Sequence, residues 1–312
     1  MKISVLITTR NRAEILKECL KSLVRQSRKP DEIVIVDNAS SDNTKEVVEN
    51  FSSLNIKYFF EKNIGIAYGR NRGLEETKGE IFAFIDDDCV ATKNWLKEIE
   101  KTFKSDKNIV GIVGRNENMF PKNPYATAEQ CWFLFWYLRH ISSLERQERL
   151  TSGDLINFKN AAFKSSFLDS LKFDNRLSTG NYSEEDAEIR GRIFNKLKSK
   201  QCIIYLPEAK IYHRNRTSFC QLLIRKYFKG VSYFRLSLSK NINLIGDVSL
   251  NKKSYPFHLW AISVSLNLKN IENITNKLIC LYCIFLLPVI YKIGKTISSI
   301  EKLVTNIFKS NV

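Results

Sequence analysis

From Ile3 to about Gly114 the chain alternates short apolar runs with stretches whose apolar residues recur at helical spacing. The runs Ile3–Thr9, Glu32–Asp37, Ile56–Phe60, Ile81–Asp86 and Ile109–Gly114 are rich in Val, Ile or Phe and predict strands. Between them, Ala13–Gln26 sets Ile15, Leu16, Cys19, Leu20 and Leu23 at helical spacing, and Thr92–Lys104 reads the same way. Such alternation predicts parallel strands joined by crossover helices, an open α/β sheet. In such sheets ligands bind beyond the carboxyl ends of the strands. Polar clusters fall at those ends: TTRNR after the first strand, DNASSDNT after the second and DDD after the fourth.

After Gly114 the alternation fades. The aromatic stretch CWFLFWYLRH, the strand-like CIIYLPEAKIYH and a helical pattern over Phe219–Leu238 follow in turn. No Pro/Gly-rich linker interrupts the chain near residue 115, so the second part is expected to pack on the same sheet. The divisions expected are 1–115, 116–215 and 216–312.

A hydrophobic fraction of 44% with 26% charged residues is that of a globular protein among 312 residues. The net charge of +16 is concentrated: residues 209–312 carry +13, with only Asp247, Glu272 and Glu301 as acids, and residues 1–208 carry +3. A near-neutral body with a basic tail points to an anionic surface as partner. Seven cysteines without regular spacing suit a reducing compartment, and Cys280-x-x-Cys283 reads as buried thiols. MKISVLITTRNR runs straight into a strand pattern, so a cytoplasmic body is expected. The 14 uncharged residues Leu278–Tyr291 would extend about 21 Å as a helix against a hydrocarbon core of about 30 Å. With Pro288 expected to interrupt it, this run reads as an interfacial, re-entrant or buried segment.

Three adjacent acids at a strand end repel one another unless a cation neutralises them. Asp86 and Asp88 can both reach one divalent ion, and their hard oxygens suit Mg²⁺ or Mn²⁺. An Asp-rich cap on the next helix is the competing reading. At 37–44, Asp42 or Ser41 can cap a helix while Asp37 and Asn38 can meet a nucleobase. Arg70 and Arg72 follow Gly65 on a short helix suited to a phosphate, or are exposed helix charges. SEEDAEIRGRI reads as a helix start with Ser183 as cap; Asp186–Arg190 and Glu188–Arg192 are ion pairs at i,i+4, or one carboxylate is a general base.

Taken in order, SVLITTRNR, EIVIVDNASSDNT, NIGIAYGRNRGLEETKGEIFAFIDDDC, NAAFKSSFL, EED with Arg192, and YLPEAKIYH resemble glycosyltransferase family 2, inverting nucleotide-sugar glycosyltransferases of the GT-A fold. The resemblance covers about residues 1–235. It implies an α/β fold with a Rossmann-like, mostly parallel central sheet and flanking helices, extended by a basic helical C-terminal part. Residues 1–115 would bind the nucleotide-sugar, 116–215 would carry the acceptor and catalytic part of the same domain, and 216–312 the extension.

The same resemblance implies roles. Thr8, Arg10, Asp37, Asn38, Arg70 and Asp87 would bind the donor, with Asn38 beside the base. Asp86 and Asp88 would form the Asp-x-Asp metal motif, with His213 near the metal or the leaving phosphate. Asp186 would deprotonate the acceptor hydroxyl, with Glu185 as rival. Many relatives carry two acids where Asp37 is here followed by Asn38. The donor expected is a UDP-sugar, then a dTDP-sugar; the acceptor is a glycan or lipid-linked saccharide of cell-surface polysaccharide synthesis. The aromatic stretch Trp132–Tyr137 reads as a buried helix face or an acceptor platform.

The rival class is a non-catalytic membrane-surface or nucleic-acid binding protein using the basic tail. No nucleic-acid motif accompanies it, and nucleic acid is not an expected partner. Ala209–Lys240 has eight basic residues and no acid, which suits an anionic membrane at the inner face of the cell membrane.

Overall fold

A computed structural model describes residues 1–179, 182–183, 185–238, 264 and 267–310. Its strands are β1 Ile3–Thr9, β2 Glu32–Asp37, β3 Ile56–Phe60, β4 Ile81–Ile85, β5 Cys89–Ala91, β6 Ile109–Asn118, β7 Glu148–Arg149, β8 Asn160–Lys164, β9 Ser178–Thr179, β10 Tyr182–Ser183 and β11 Cys202–His213. Its helices are α1 Ala13–Val24, α2 Thr44–Glu49, α3 Ile66–Glu76, α4 Trp95–Ser105, α5 Pro124–Leu138, α6 Ser165–Leu168, α7 Glu185–Asn195, α8 Phe219–Leu238 and α9 Ile274–Ser310. The basic residues Lys240, Lys252 and Lys253 lie outside the described residues.

The main sheet runs β3-β2-β1-β4-β8-β6-β11-β5, with β7 on β11. The first four strands are parallel. β2 and β4 are buried along their whole length, which explains their unbroken apolar runs. β8 then enters antiparallel between β4 and β6, so the sheet is mixed beyond its N-terminal half. The core gathers Ile3, Val5 and Ile7 of β1, Leu16, Leu20 and Leu23 of α1, and Trp95, Ile99 and Phe103 of α4.

Three expected boundaries shift for local reasons. β4 stops at Ile85, one residue early, because Asp86–Cys89 is a tight turn closed by the Cys89 N–H on the Asp86 carbonyl at 3.1 Å. β6 continues beyond Gly114 to Asn118, with Arg115–Asn118 paired to Lys210–His213 after a register shift in β11 between Leu206 and Lys210. Glycine at 114 permits this: a Cβ there would lie 2.2 Å from the Ala209 carbonyl oxygen and 2.3 Å from Asn160 Nδ2. α4 begins at Trp95, three residues after the expected Thr92, because the Thr92 N–H and hydroxyl both donate to the Lys210 carbonyl, at 3.1 and 2.9 Å.

The chain divides into two compact units. The first combines Met1–Met119, Tyr137–Ser178 and Glu185–Arg214; the second combines Phe120–Trp136, Thr179–Glu184 and Asn215–Val312. The second unit corrects the expectation for Pro288: α9 runs through it for 37 residues. Proline lacks the N–H that would bond the carbonyl four residues earlier. That carbonyl belongs to Ile284, and the Trp132 indole N–H donates to it at 3.0 Å. Cys280, Cys283, Ile284 and Leu287 pack with Leu222, Ala128 and Cys131. Trp132 and its neighbours therefore mostly form a packed face of α5, while Trp136 is 46% exposed.

Candidate active site

Five peptide segments of the first unit bring polar side chains together: the ends of β1 and β2, the turn after β4, the start of α7 and the end of β11. Thr8, at the end of β1, has a buried Oγ1 with no hydrogen-bond partner among the described residues. α3 lies close against it through Gly69, where a Cβ would come within 2.4 Å of Thr8 Cγ2. Arg10 is exposed just beyond.

At the end of β2 the side chains are engaged internally. Asp37 accepts from the Ser40 N–H at 2.8 Å and from the Tyr58 hydroxyl at 2.5 Å. Burial, with that hydrogen bond, pushes the Tyr58 phenol well above its ordinary range. Asn38 donates to the Asn63 carbonyl at 2.6 Å and accepts from the Gly65 N–H at 2.7 Å. Gly65 itself has φ 144°, a conformation that L side chains rarely adopt, and enters α3 there. An amide suits this place because it must both donate and accept a hydrogen bond. Asp42 caps on two sides, accepting from Thr44 N–H and Ala13 N–H, each at 3.1 Å.

The turn after β4 distributes its three acids differently. Asp87 is buried and turned inward, accepting from the Thr9 hydroxyl at 2.8 Å and from Arg12 Nη1 at 3.0 Å. It does not cap α4. Burial pushes its carboxyl up, against the pull of Arg12. Asp88 lies 3.4 Å from the same Arg12 nitrogen, and its Oδ1 is 3.5 Å from His213 Nε2. β5 makes that last approach possible: it pairs antiparallel with the end of β11, placing His213 opposite Cys89. Ligand atoms of Asp88, Cys89 and His213 lie within 4.8 Å of one another.

Asp86 faces α3 and α7. Its Oδ1 is 3.4 Å from Arg70 Nη2, while Arg70 Nη1 donates to Glu185 Oε1 at 3.0 Å and to Asp186 Oδ1. Arg70 is itself buried, its guanidinium 5.6 Å from the Phe158 ring centroid and 5.4 Å from that of Phe173. Burial opposes its charge, but Asp186, Asp86 and Glu185 outweigh that and hold it firmly protonated. The Asp86 carboxyl is raised by burial and by Asp88 and Asp186, against the pull of Arg70. The Arg70 guanidinium, expected at a nucleotide, is thus ion-paired with three carboxylates. Of the two acids opening α7, the Glu185 side chain is 2% exposed and that of Asp186 is 34% exposed.

Asp186 pairs with Arg70, whereas Glu188 pairs with Arg192, Nη2 to Oε2 at 2.7 Å, as its spacing predicts. Ser183 lies in β10, before α7 begins. Arg72 takes the exposed course, pairing with Glu76 at 2.7 Å. Arg12 and the Phe158–Phe173 pair carried no sequence signal: Arg12 was one basic residue in TTRNR, and the rings are distant in sequence from the arginine they flank. Burial keeps the Cys89 thiol protonated and so a poor ligand, which leaves the Asp88 carboxylate and the His213 imidazole, a set that fits a hard divalent cation such as Mg²⁺ or Mn²⁺.

The model of "Glycosyl transferase family 2" matches residues 4–171. The chain is 26% identical over 289 residues to a glucosyl-dolichyl phosphate glucuronosyltransferase of Haloferax volcanii, covering 87% of each chain. Over 91 residues it is 41% identical to a GalNAc(5)-diNAcBac-PP-undecaprenol beta-1,3-glucosyltransferase of Campylobacter jejuni, 28% of this chain and 29% of that one. Among solved structures, the mannosyltransferase PcManGT of Pyrobaculum calidifontis, in complex with GDP-Man and Mn²⁺, superposes with a TM-score of 0.56 at 17% identity, covering 99% of this chain and 87% of that one. Residues 1–349 of S. aureus TarS give 0.54 at 16%, covering 97% and 92%. These structural likenesses bear out the GT-A fold, and with the family match they close the question of class: this chain is a glycosyltransferase and belongs to glycosyltransferase family 2.

Proposed function

We propose that the protein transfers a sugar, with inversion, from a nucleoside-diphosphate donor to a hydroxyl of a glycan or lipid-linked saccharide in cell-surface polysaccharide synthesis. A UDP-sugar is the first expectation and a dTDP-sugar the second. The acceptor class draws support from the relatives, named for dolichyl-phosphate and undecaprenol-linked substrates. It implies work at the cytoplasmic face of a membrane.

One observation carries the catalytic reading: Arg70 joins Asp86 of the acidic turn to Asp186 of α7, and Asp186 is the more exposed of the two acids that open α7. Asp86 and Asp88, with His213 beside them, would hold Mg²⁺ or Mn²⁺. When bound, such a cation supplies Lewis-acid stabilisation of the charge that builds on the departing diphosphate. Asp186 takes the proton of the attacking hydroxyl on its exposed carboxylate edge. Arg70 fixes the rotamer of that carboxylate and compensates its charge from the protein side. Thr8 offers its unsatisfied hydroxyl to the donor, and Arg10 is free to swing over it from the rim. Asp87 acts on the donor indirectly, by anchoring Arg12 beside Asp88.

The test is a screen of UDP- and dTDP-sugars with and without Mn²⁺ by thermal shift, followed by transfer to a short saccharide acceptor with the anomeric configuration read by NMR. Inversion with metal-dependent turnover is expected. A retained configuration would overturn the single-displacement mechanism, and Glu185→Gln matching the loss of Asp186→Asn would move the base by one residue.

A further inference from the structure

α9 is two-faced. One side buries Cys280, Cys283, Ile284 and Leu287 to 0–1% exposure. The other leaves Ile274, Leu278, Tyr282, Phe285, Val289 and Ile293 between 44% and 68% exposed. At about 100° per residue these six fall within an arc of about 100°, and they extend for about 28 Å along the axis. A continuous exposed apolar stripe of this kind marks a contact surface.

Charge identifies the occupant. From residue 274 to 300 the chain has Lys277, Lys292 and Lys295 and no Asp or Glu. By helical spacing Lys292 falls at the edge of the stripe, and Lys277 and Lys295 between it and the buried face. Apolar side chains bordered by lysines suit the headgroup boundary of an anionic bilayer, where the stems of lysine lie along apolar surface and their ammonium groups meet phosphates.

Orientation follows from the packed side. Ile274–Ile293, with mean hydropathy 1.8, is long and apolar enough to cross a bilayer. Halfway along it, however, the Ile284 carbonyl takes the Trp132 indole N–H, and Lys226 Nζ stands 5.3 Å from the Trp132 ring centroid. Glu129, also on α5, pairs with Arg216 at 2.9 Å. Spanning would carry these charged neighbours to bilayer depth, at high cost.

We propose that the outer face of α9 lies in the plane of an anionic membrane surface, with the stripe from Ile274 to Ile293 inserted among the headgroups. This rests on the membrane-side location proposed above and names the face that makes it. The test uses the full chain with phosphatidylcholine vesicles containing about one third phosphatidylglycerol, compared with pure phosphatidylcholine. Wild-type protein cosediments with the mixed vesicles, and Leu278→Ser/Phe285→Ser/Val289→Ser loses about a hundredfold in partition while keeping its circular dichroism. Lys292→Glu, on an exposed side chain, loses about fivefold on mixed vesicles and nothing on neutral ones. Partition of the triple variant within twofold of wild type overturns the proposal. So does a wild-type dimer in sedimentation velocity that the triple variant abolishes, since the face would then belong to a second copy. Turnover with a soluble acceptor is measured in parallel: its retention in the triple variant separates a failure of docking from a failure of the catalytic reading.

Discussion

The carboxyl ends of β2 and β4 both present Asp-rich polar runs, yet they solve opposite problems. After β2, Asp37, Asn38 and Asp42 all satisfy the protein's own donors and acceptors: Ser40, Tyr58, Asn63, Gly65, Thr44 and Ala13. After β4, the carboxylates of Asp86, Asp87 and Asp88, with Glu185 and Asp186 close by, meet the guanidiniums of Arg12 and Arg70. The first cluster is closed. The second keeps an excess of negative charge in a partly buried place, which a protein sustains at a cost unless something positive arrives. Polar composition at a strand end is therefore a poor guide by itself; whether the charges gathered there balance is the better one.

The largest effect expected is at the open end. Asp88→Asn should reduce metal-dependent turnover by about a thousandfold, the loss of several kcal/mol of charge stabilisation, with a nearly unchanged thermal midpoint. Retained metal-dependent turnover in that variant, by a nucleotide-release assay, would erase the distinction between the two ends. Asp186→Asn should lower kcat by about 10²- to 10⁴-fold and leave donor affinity, by calorimetry, as in the wild type.

Arg70→Lys tests what holds the open end together. It keeps one positive charge but loses the planar fork that reaches Asp86, Glu185 and Asp186. A fall of about tenfold to a hundredfold in kcat is expected, with about 1–3 kcal/mol lost in urea unfolding. Unchanged kcat would show that Asp186 needs no such support. Smallest in turnover is Asn38→Asp, which sets a carboxylate against the Asn63 carbonyl. It should lose about 1–3 kcal/mol of stability with kcat within a few-fold. A steep rise in donor KM instead would make the β2 end a ligand site too.

Much of the scaffold was readable: β1 and β2, buried almost along their whole length, show as unbroken apolar runs, and β3 and β11 too begin and end where the strand-like pattern does, although β3 is only half-buried. The antiparallel entry of β8 was not readable. NAAFK is an ordinary apolar run, and its direction is set by pairing with β4 and β6 rather than by its own residues. In the site, order along the chain pointed to the acidic turn and to α7, but proximity depends on topology: His213 reaches Asp88 only because β5 turns back onto β11. The fate of Arg70 was hidden for the same reason. Its three acidic partners stand 16, 115 and 116 residues away.

A helix is nearly the same object after each turn, so two packed helices have little to stop one from sliding along the other by about 5.4 Å. In α9 this repetition is broken at one place. Without an N–H at Pro288, the Ile284 carbonyl differs from its neighbours along the rod, and Trp132 finds it. The proline works as an index mark, so that of all the positions α9 might take along α5, one satisfies both the indole and the orphaned oxygen.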